Sequence, residues 1–230
     1  MIGVFDSGIG GLNILNELVK NIPNYHYIYY GDSINNPYGD KSYDELIKIT
    51  SNIVDNLRKR GCKLIVIACN TATVKCINAL RDKYKDLVFV GVEPAIKVAC
   101  DNNYKNTLVM ATPGTISNEH THLLVNKNIK KDQNIYLLPC KDLAHSIEIN
   151  DINKIDNILK EIYNEYKDYN IDSIVLGCTH YLSIKNEIKK YFNVDLLDGM
   201  NGIINQVKRM IKENNIEETN SNVEILKNLS

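Results

Sequence analysis

Leu64-Ile65-Val66-Ile67-Ala68-Cys69-Asn70-Thr71-Ala72 decides the fold. An unbroken apolar run with no polar alternation reads as a strand covered on both faces, the pattern of parallel sheets. The polar residues after Cys69 then open a helix. Working outward, the chain repeats this strand-then-helix grammar. IGVF (2–5) leads into a helix over 11–22 with Leu12, Leu15, Leu18, Val19 and Ile22 on one face, and YHYIYY (25–30) follows. Ser42 with Glu45 forms a capping-box pattern before the stripe Leu46, Ile49, Ile53 and Leu57, and Gly61 closes that helix. Further strands are read at 87–92, 107–112, 135–138, 173–178 and 194–197, with helices over roughly 71–84, 94–102, 152–168, 180–191 and 200–214. The last stretch, 213–230, reads as a polar tail or a marginal final helix.

An internal echo runs through this pattern. LIVIACNTA (64–72) aligns with SIVLGCTHY (173–181), and IGVFDSGIG (2–10) with LVMATPGTI (108–116). The cysteines are offset by 178 − 69 = 109 residues and the glycines by 114 − 8 = 106. The expected architecture is α/β: two pseudo-symmetric lobes, each a mostly parallel sheet flanked by helices, with the active site in the cleft between them. The lobes are placed at 1–95 plus 206–230 and at 96–205.

Composition sets the class. The 230 residues are 44% hydrophobic and 24% charged, as in an ordinary globular protein. With 27 basic against 28 acidic side chains the net charge is −1, so no global electrostatic footprint suggests nucleic acid or an anionic membrane as partner. No apolar run approaches the roughly 20 residues a spanning helix needs. MIGVFDSG lacks the basic start of a signal peptide, and six cysteines without a C-x-x-C pair suit a reducing compartment, so a cytoplasmic location is expected.

Four strand ends carry small polar residues before a helix: 6–11, 69–71, 112–115 and 177–180. In parallel sheets the carboxyl ends of strands line the ligand site. Helices beginning there offer N–H groups and the positive end of the dipole to a carboxylate or phosphate. The four arginines, at 58, 60, 81 and 209, lie away from these loops. Cys62, Cys76 and Cys100 read as core residues, the commonest place for an unpaired cysteine. Cys69 and Cys178 differ, because each ends a strand and precedes a helix, where a thiol is more readily ionised.

Two rival chemistries fit the sequence less well. Gly8-x-Gly10 with Asp32 imitates a dinucleotide fingerprint, but Asn13 stands at the third glycine position and Asp6 would put a carboxylate beside the pyrophosphate. Cys69, Cys178 and His180 could contribute metal ligands, yet they lack the spacing of a zinc site. Paired thiols suit a third chemistry. Inverting a carbon centre by proton transfer needs a base on one face and an acid on the other, and Asp6 and Glu148 are candidate carboxylates in the two halves.

FDSGIGG (5–11), GDSINNPYGDKS (31–42), CNTAT (69–73), TPGT (112–115) and GCTHY (177–181) together resemble the glutamate racemases, cofactor-independent enzymes of bacterial cell-wall synthesis. The resemblance implies that Cys69 acts on the D-enantiomer and Cys178 on the L-enantiomer. Asp6 and His180 would assist them, and Glu148 would be the acid near the second cysteine. Ser7, Pro37, Tyr38, Gly39, Asn70, Thr71, Thr115 and Thr179 would hold a dicarboxylic amino-acid substrate. It implies no pyridoxal phosphate and no metal, and a homodimer. An aspartate racemase of the same superfamily and a catalytically silent binder of acidic metabolites are the alternatives.

Overall fold

The computed structural model describes residues 1–227. The chain forms two compact units, Met1–Val92 with the chain from Met200 onward, and Glu93–Gly199.

The first unit contains β1 (Ile2–Asp6), α1 (Leu12–Asn21), β2 (His26–Gly31), α2 (Tyr43–Lys59), β3 (Leu64–Ile67), α3 (Asn70–Lys83) and β4 (Val88–Gly91). Next in chain order, the second unit contains α4 (Ile96–Asp101), β5 (Asn106–Ala111), α5 (Pro113–Ile116), α6 (Glu119–Asn128), β6 (Asn134–Pro139), α7 (Leu143–Glu148), α8 (Ile152–Tyr166), β7 (Ser173–Leu176), α9 (Lys185–Tyr191) and β8 (Asp195–Leu197). The chain then returns to the first unit with α10 (Met200–Glu213) and β9 (Asn222–Lys227).

Both sheets are parallel throughout. Their orders are β4-β3-β1-β2-β9 and β6-β5-β7-β8. Reversed, the second reads β8-β7-β5-β6, so it repeats the first four strands of the first sheet in the same relative order. The sequence echo is therefore a topological one, and Cys69 and Cys178 follow equivalent strands, β3 and β7.

Side chains alternate across each strand, and this sorts the core. Leu64, Val66 and Ala68 join one cluster with α1 and α10 residues such as Leu18 and Val207. Ile65, Ile67 and Cys69 join the opposite cluster with α2 and α3 residues such as Leu57 and Leu80. In the second unit Ile174, Leu176 and Cys178 share a face with Leu143, Leu159 and Ile188, whereas Val175 packs on the other face with Ile96 and Cys100.

Several features depart from the sequence expectation. The boundary falls at 199/200 instead of 205/206, because Ile203, Ile204 and Val207 of α10 pack together in the first unit's core and a division at 206 would split that stripe. The first boundary falls at 92/93 instead of 95/96. The stretch expected as a tail or last helix contains β9, whose parallel pairing with β2 occupies an otherwise open sheet edge. The Thr219 hydroxyl accepts from His26 N–H at 2.6 Å, and Arg60 pairs with Glu224 at 2.6 Å. Residues 228–230 of that stretch lie outside the described residues. Finally, α6 and α7 were not anticipated, and the helix expected over 180–191 is a 3-10 turn, Thr179–Ile184, followed by α9. Among the described residues no helix is long and apolar enough to cross a membrane.

Burial raises the thiols of Cys62 and Cys76 to about 11. A raised native value stabilises the fold below the unfolded thiol pKa and is lost as pH climbs toward the folded value. Stability is therefore expected to fall between about pH 9 and pH 11, and Cys76→Ala to flatten that decline. Denaturant midpoints measured across this range test the expectation.

Candidate active site

The first unit gathers Asp6, Ser7, Pro37, Tyr38, Gly39, Cys69, Asn70 and Thr71 at the carboxyl end of its sheet. Register brings them there: Asp6 lies opposite Gly31, and Phe5 opposite Ile67. Cys69 is the N-cap of α3, is 6% exposed, and leaves that helix without a side-chain cap. Asn70 is the first residue of α3, and its buried Nδ2 has no hydrogen-bond partner.

Asp6 departs from the expectation that the glycine loop presents free helix N–H groups to a ligand. Its Oδ2 accepts from Gly11 N–H at 2.9 Å and Gly8 N–H at 3.3 Å. The chain's own carboxylate thus occupies the start of α1, where a pyrophosphate would otherwise sit. Gly11 is required by this approach: a Cβ there would lie 2.5 Å from Asp6 Cβ and 2.9 Å from the Tyr29 hydroxyl.

Asp32 is likewise engaged within its own loop, accepting from Tyr38 Oη–H at 2.6 Å and from Asn35 Nδ2 at 2.9 Å on both oxygens. Burial, then the neighbouring Asp32 carboxylate, raises the Tyr38 hydroxyl well above its ordinary value, so it remains a proton donor. Tyr38 and Cys69 share one core cluster. The loop's hydrogen bonds therefore hold Pro37-Tyr38-Gly39 at the strand end that carries the thiol.

The second unit brings together Thr115, Glu148, Cys178, Thr179 and His180, all buried or nearly so. Cys178 Sγ lies 3.7 Å from His180 Nδ1, and His180 Nε2 lies 2.7 Å from Glu148 Oε2. The His180 and Glu148 side chains are 1% and 11% exposed, which shields their pairing from water. Glu148 reaches His180 because it ends α7, an element the sequence reading missed. Cys178 precedes a six-residue 3-10 turn instead of an α-helix, so its polar support comes from an imidazole more than from a helix dipole. The start of α5 is also closed internally: Thr112 Oγ1 accepts from Thr115 N–H at 3.3 Å and lies 3.0 Å from Thr115 Oγ1.

The two thiol environments are therefore different in kind, one at an α-helix start and one beside a His–Glu pair. Thr112, Asn35 and Asn36 fall within the quoted stretches 112–115 and 31–42, but the sequence reading gives none of them an individual role. A hydroxyl three residues before Thr115 was a legible capping signal for the first, and nothing marked the other two. Among the described residues no three His, Cys, Asp or Glu side chains converge as a metal-binding group.

Residues 7–207 match the family model described as Asp/Glu/Hydantoin racemase. The chain belongs to this racemase family. Within it, the chain is 43% identical over 221 residues to a glutamate racemase of Clostridium perfringens, covering 94% of this chain and 85% of that one. The crystal structure of glutamate racemase from Francisella tularensis in complex with D-glutamate is 32% identical, with a TM-score of 0.84 over 98% of this chain and 86% of that chain. Escherichia coli glutamate racemase, solved with L-glutamate and an activator, is 26% identical, with a TM-score of 0.84 over 100% of this chain and 98% of its own.

Burial raises the thiols of Cys100 and Cys140 as well as those of Cys62 and Cys76. Cys69 and Cys178, at 6% and 7%, are more exposed than these four, which are at most 4% exposed, so brief treatment of native protein with iodoacetamide at pH 8 is expected to modify Cys69 and Cys178 first. Peptide mapping reads the result, and alkylation of the other four at a comparable rate would contradict it.

Proposed function

We propose that the chain interconverts L- and D-glutamate by moving one proton at Cα, supplying D-glutamate for peptidoglycan precursors. The observation that carries this reading is the pair of cysteines at the ends of equivalent strands in a chain of this family. In the L-to-D direction the Cys178 thiolate takes the Cα proton, and the electron pair left on carbon spreads into the adjacent carboxylate. The Cys69 thiol then returns a proton to the opposite face and becomes the thiolate. The D-to-L direction reverses both roles.

His180 orients Cys178 and can hold a proton between it and Glu148, and Asp6 assists Cys69. The unpaired Asn70 Nδ2 is available to donate to substrate. Ser7, Thr71, Thr115, Thr179 and the Pro37-Tyr38-Gly39 run supply the remaining contacts. Orienting Cα–H between two groups and excluding water are worth more here than nucleophilic power, because the carbanion-like state must not exchange with solvent. We read the enzyme as a cytoplasmic homodimer, following the resemblance to its relatives. Sedimentation at micromolar concentration gives twice the 26.1 kDa chain mass if that reading holds.

Circular dichroism on L- and on D-glutamate without added cofactor is expected to decay to zero from either side. Cys69→Ser and Cys178→Ser are each expected to abolish this. A wild-type chain that leaves both glutamate enantiomers unchanged while racemising aspartate would make it an aspartate racemase. Tight ligand binding with no Cα exchange would make it a binder.

Positioning has its own signature. Gly11→Ala, by displacing Asp6, and Glu148→Gln, by weakening the hold on His180, are each expected to lower kcat/KM about 10- to 100-fold. Since the two enantiomers have equal free energies, the factor must be the same in both directions. Activity within twofold of wild type in both variants would remove Asp6 and Glu148 from the mechanism.

A further inference from the structure

The loop between β2 and α2 spends most of its polar groups on itself. Asp32 receives Tyr38 and Asn35, Ser42 and Glu45 close a capping box at the start of α2, and the Lys41 carbonyl accepts from Lys75 Nζ at 2.9 Å. Asn36 is the exception. Its amide nitrogen and amide oxygen are both buried, and neither has a hydrogen-bond partner. An unpaired buried amide is less stable than an apolar side chain of the same size. The fold therefore gains nothing from a polar residue here, and an unpaired buried group of this kind calls for a role outside folding.

Its position supplies one. Asn36 directly precedes Pro37, Tyr38 and Gly39 in the loop that leaves the carboxyl end of β2, and the backbone bond from Asp32 N–H to the Asp6 carbonyl fastens that loop beside β1. Tyr38, two residues on, shares a core cluster with Cys69. The Tyr38 hydroxyl is committed to Asp32, as is the Asn35 amide, which leaves Asn36 as the side chain of this run with unspent donor and acceptor capacity.

We propose that Asn36 is a substrate-binding residue whose amide reads two charges of the dicarboxylic amino acid, Nδ2 donating to a side-chain carboxylate oxygen and Oδ1 accepting from the ammonium. The proposal rests on the racemase reading and adds a residue to it. An amide presents a donor and an acceptor on one planar group, and an amino acid presents the two opposite charges that match them. The ammonium keeps its charge throughout the reaction, as does the side-chain carboxylate, which takes none of the electron pair left on Cα, so this contact is made equally in the ground state and the transition state. Such uniform binding acts on KM and leaves kcat alone.

The test is Asn36→Leu, close in volume and without polar atoms. KM for both glutamate enantiomers is expected to rise about 10-fold or more, with kcat within about threefold of wild type. The melting temperature is expected to hold or rise, because the variant removes two unpaired polar atoms. A lower melting temperature with unchanged KM would show a structural amide satisfied by buried water, and would overturn the proposal. A collapse of kcat at constant KM overturns it as well. Should the leucine variant fail to fold, Asn36→Asp keeps the shape and places a negative charge against the substrate carboxylate; KM must rise there too, and an unchanged KM rejects the assignment. Wild-type protein inactive on glutamate would reject the racemase reading, and this proposal with it. Wild-type activity with an unaltered KM in both variants rejects this proposal alone.

Discussion

Parallel pairing of the central strands is the constraint on which the remaining structure depends. With β1 flanked by β2 and β3, and β5 flanked by β6 and β7, every strand delivers its last residue to the same end of its sheet. Functional groups then need no long-range device to assemble. Asp6, the loop beginning at Asp32, and Cys69 meet because their strands are neighbours in register. Thr112 and Cys178 meet for the same reason, and His180 and Glu148 are added by the short elements that follow. The twofold alternation of side chains fixes which face each thiol takes, so Cys69 packs with α2 and α3 while Cys178 packs with α7, α8 and α9.

Within that shared plan the two halves have diverged in how they support a thiol. The first uses an α-helix that begins at Cys69 without a side-chain cap, and it satisfies the neighbouring helix start with Asp6. The second caps its own short helix with Thr112 and leans Cys178 on His180, itself held by Glu148. A reaction that proceeds in both directions does not need identical ends. It needs two groups that can each hold or release a proton, and a helix start and an imidazole are two physical routes to that property.

Much of this was legible in the sequence because it is encoded locally. Uninterrupted apolar strands, the Ser42–Glu45 capping box and the strand-end cysteines each depend on a few contiguous residues. The echo at offsets of 109 and 106 also carried the topology, since the two sheets repeat one strand order. What escaped depends on distant partners. Asn222–Lys227 is a strand only because β2 offers an edge, and α6 buries just Thr121 and so lacks a clear apolar stripe. The turn of Asp6 back onto Gly8 and Gly11, and the isolation of the Asn36 amide, are facts about hydrogen-bond partners that no spacing of residues announces.

The central claim is that two different thiols handle the proton, one on each face of Cα. Racemisation of each protiated glutamate enantiomer in D2O, stopped at low conversion and read by mass spectrometry, tests it most directly. Two bases predict that the first product carries deuterium at Cα while the remaining substrate stays protiated, starting from either enantiomer. Product that retains the original proton, or remaining substrate that gains deuterium as fast as product forms, would mean that one group serves both faces and would contradict the account.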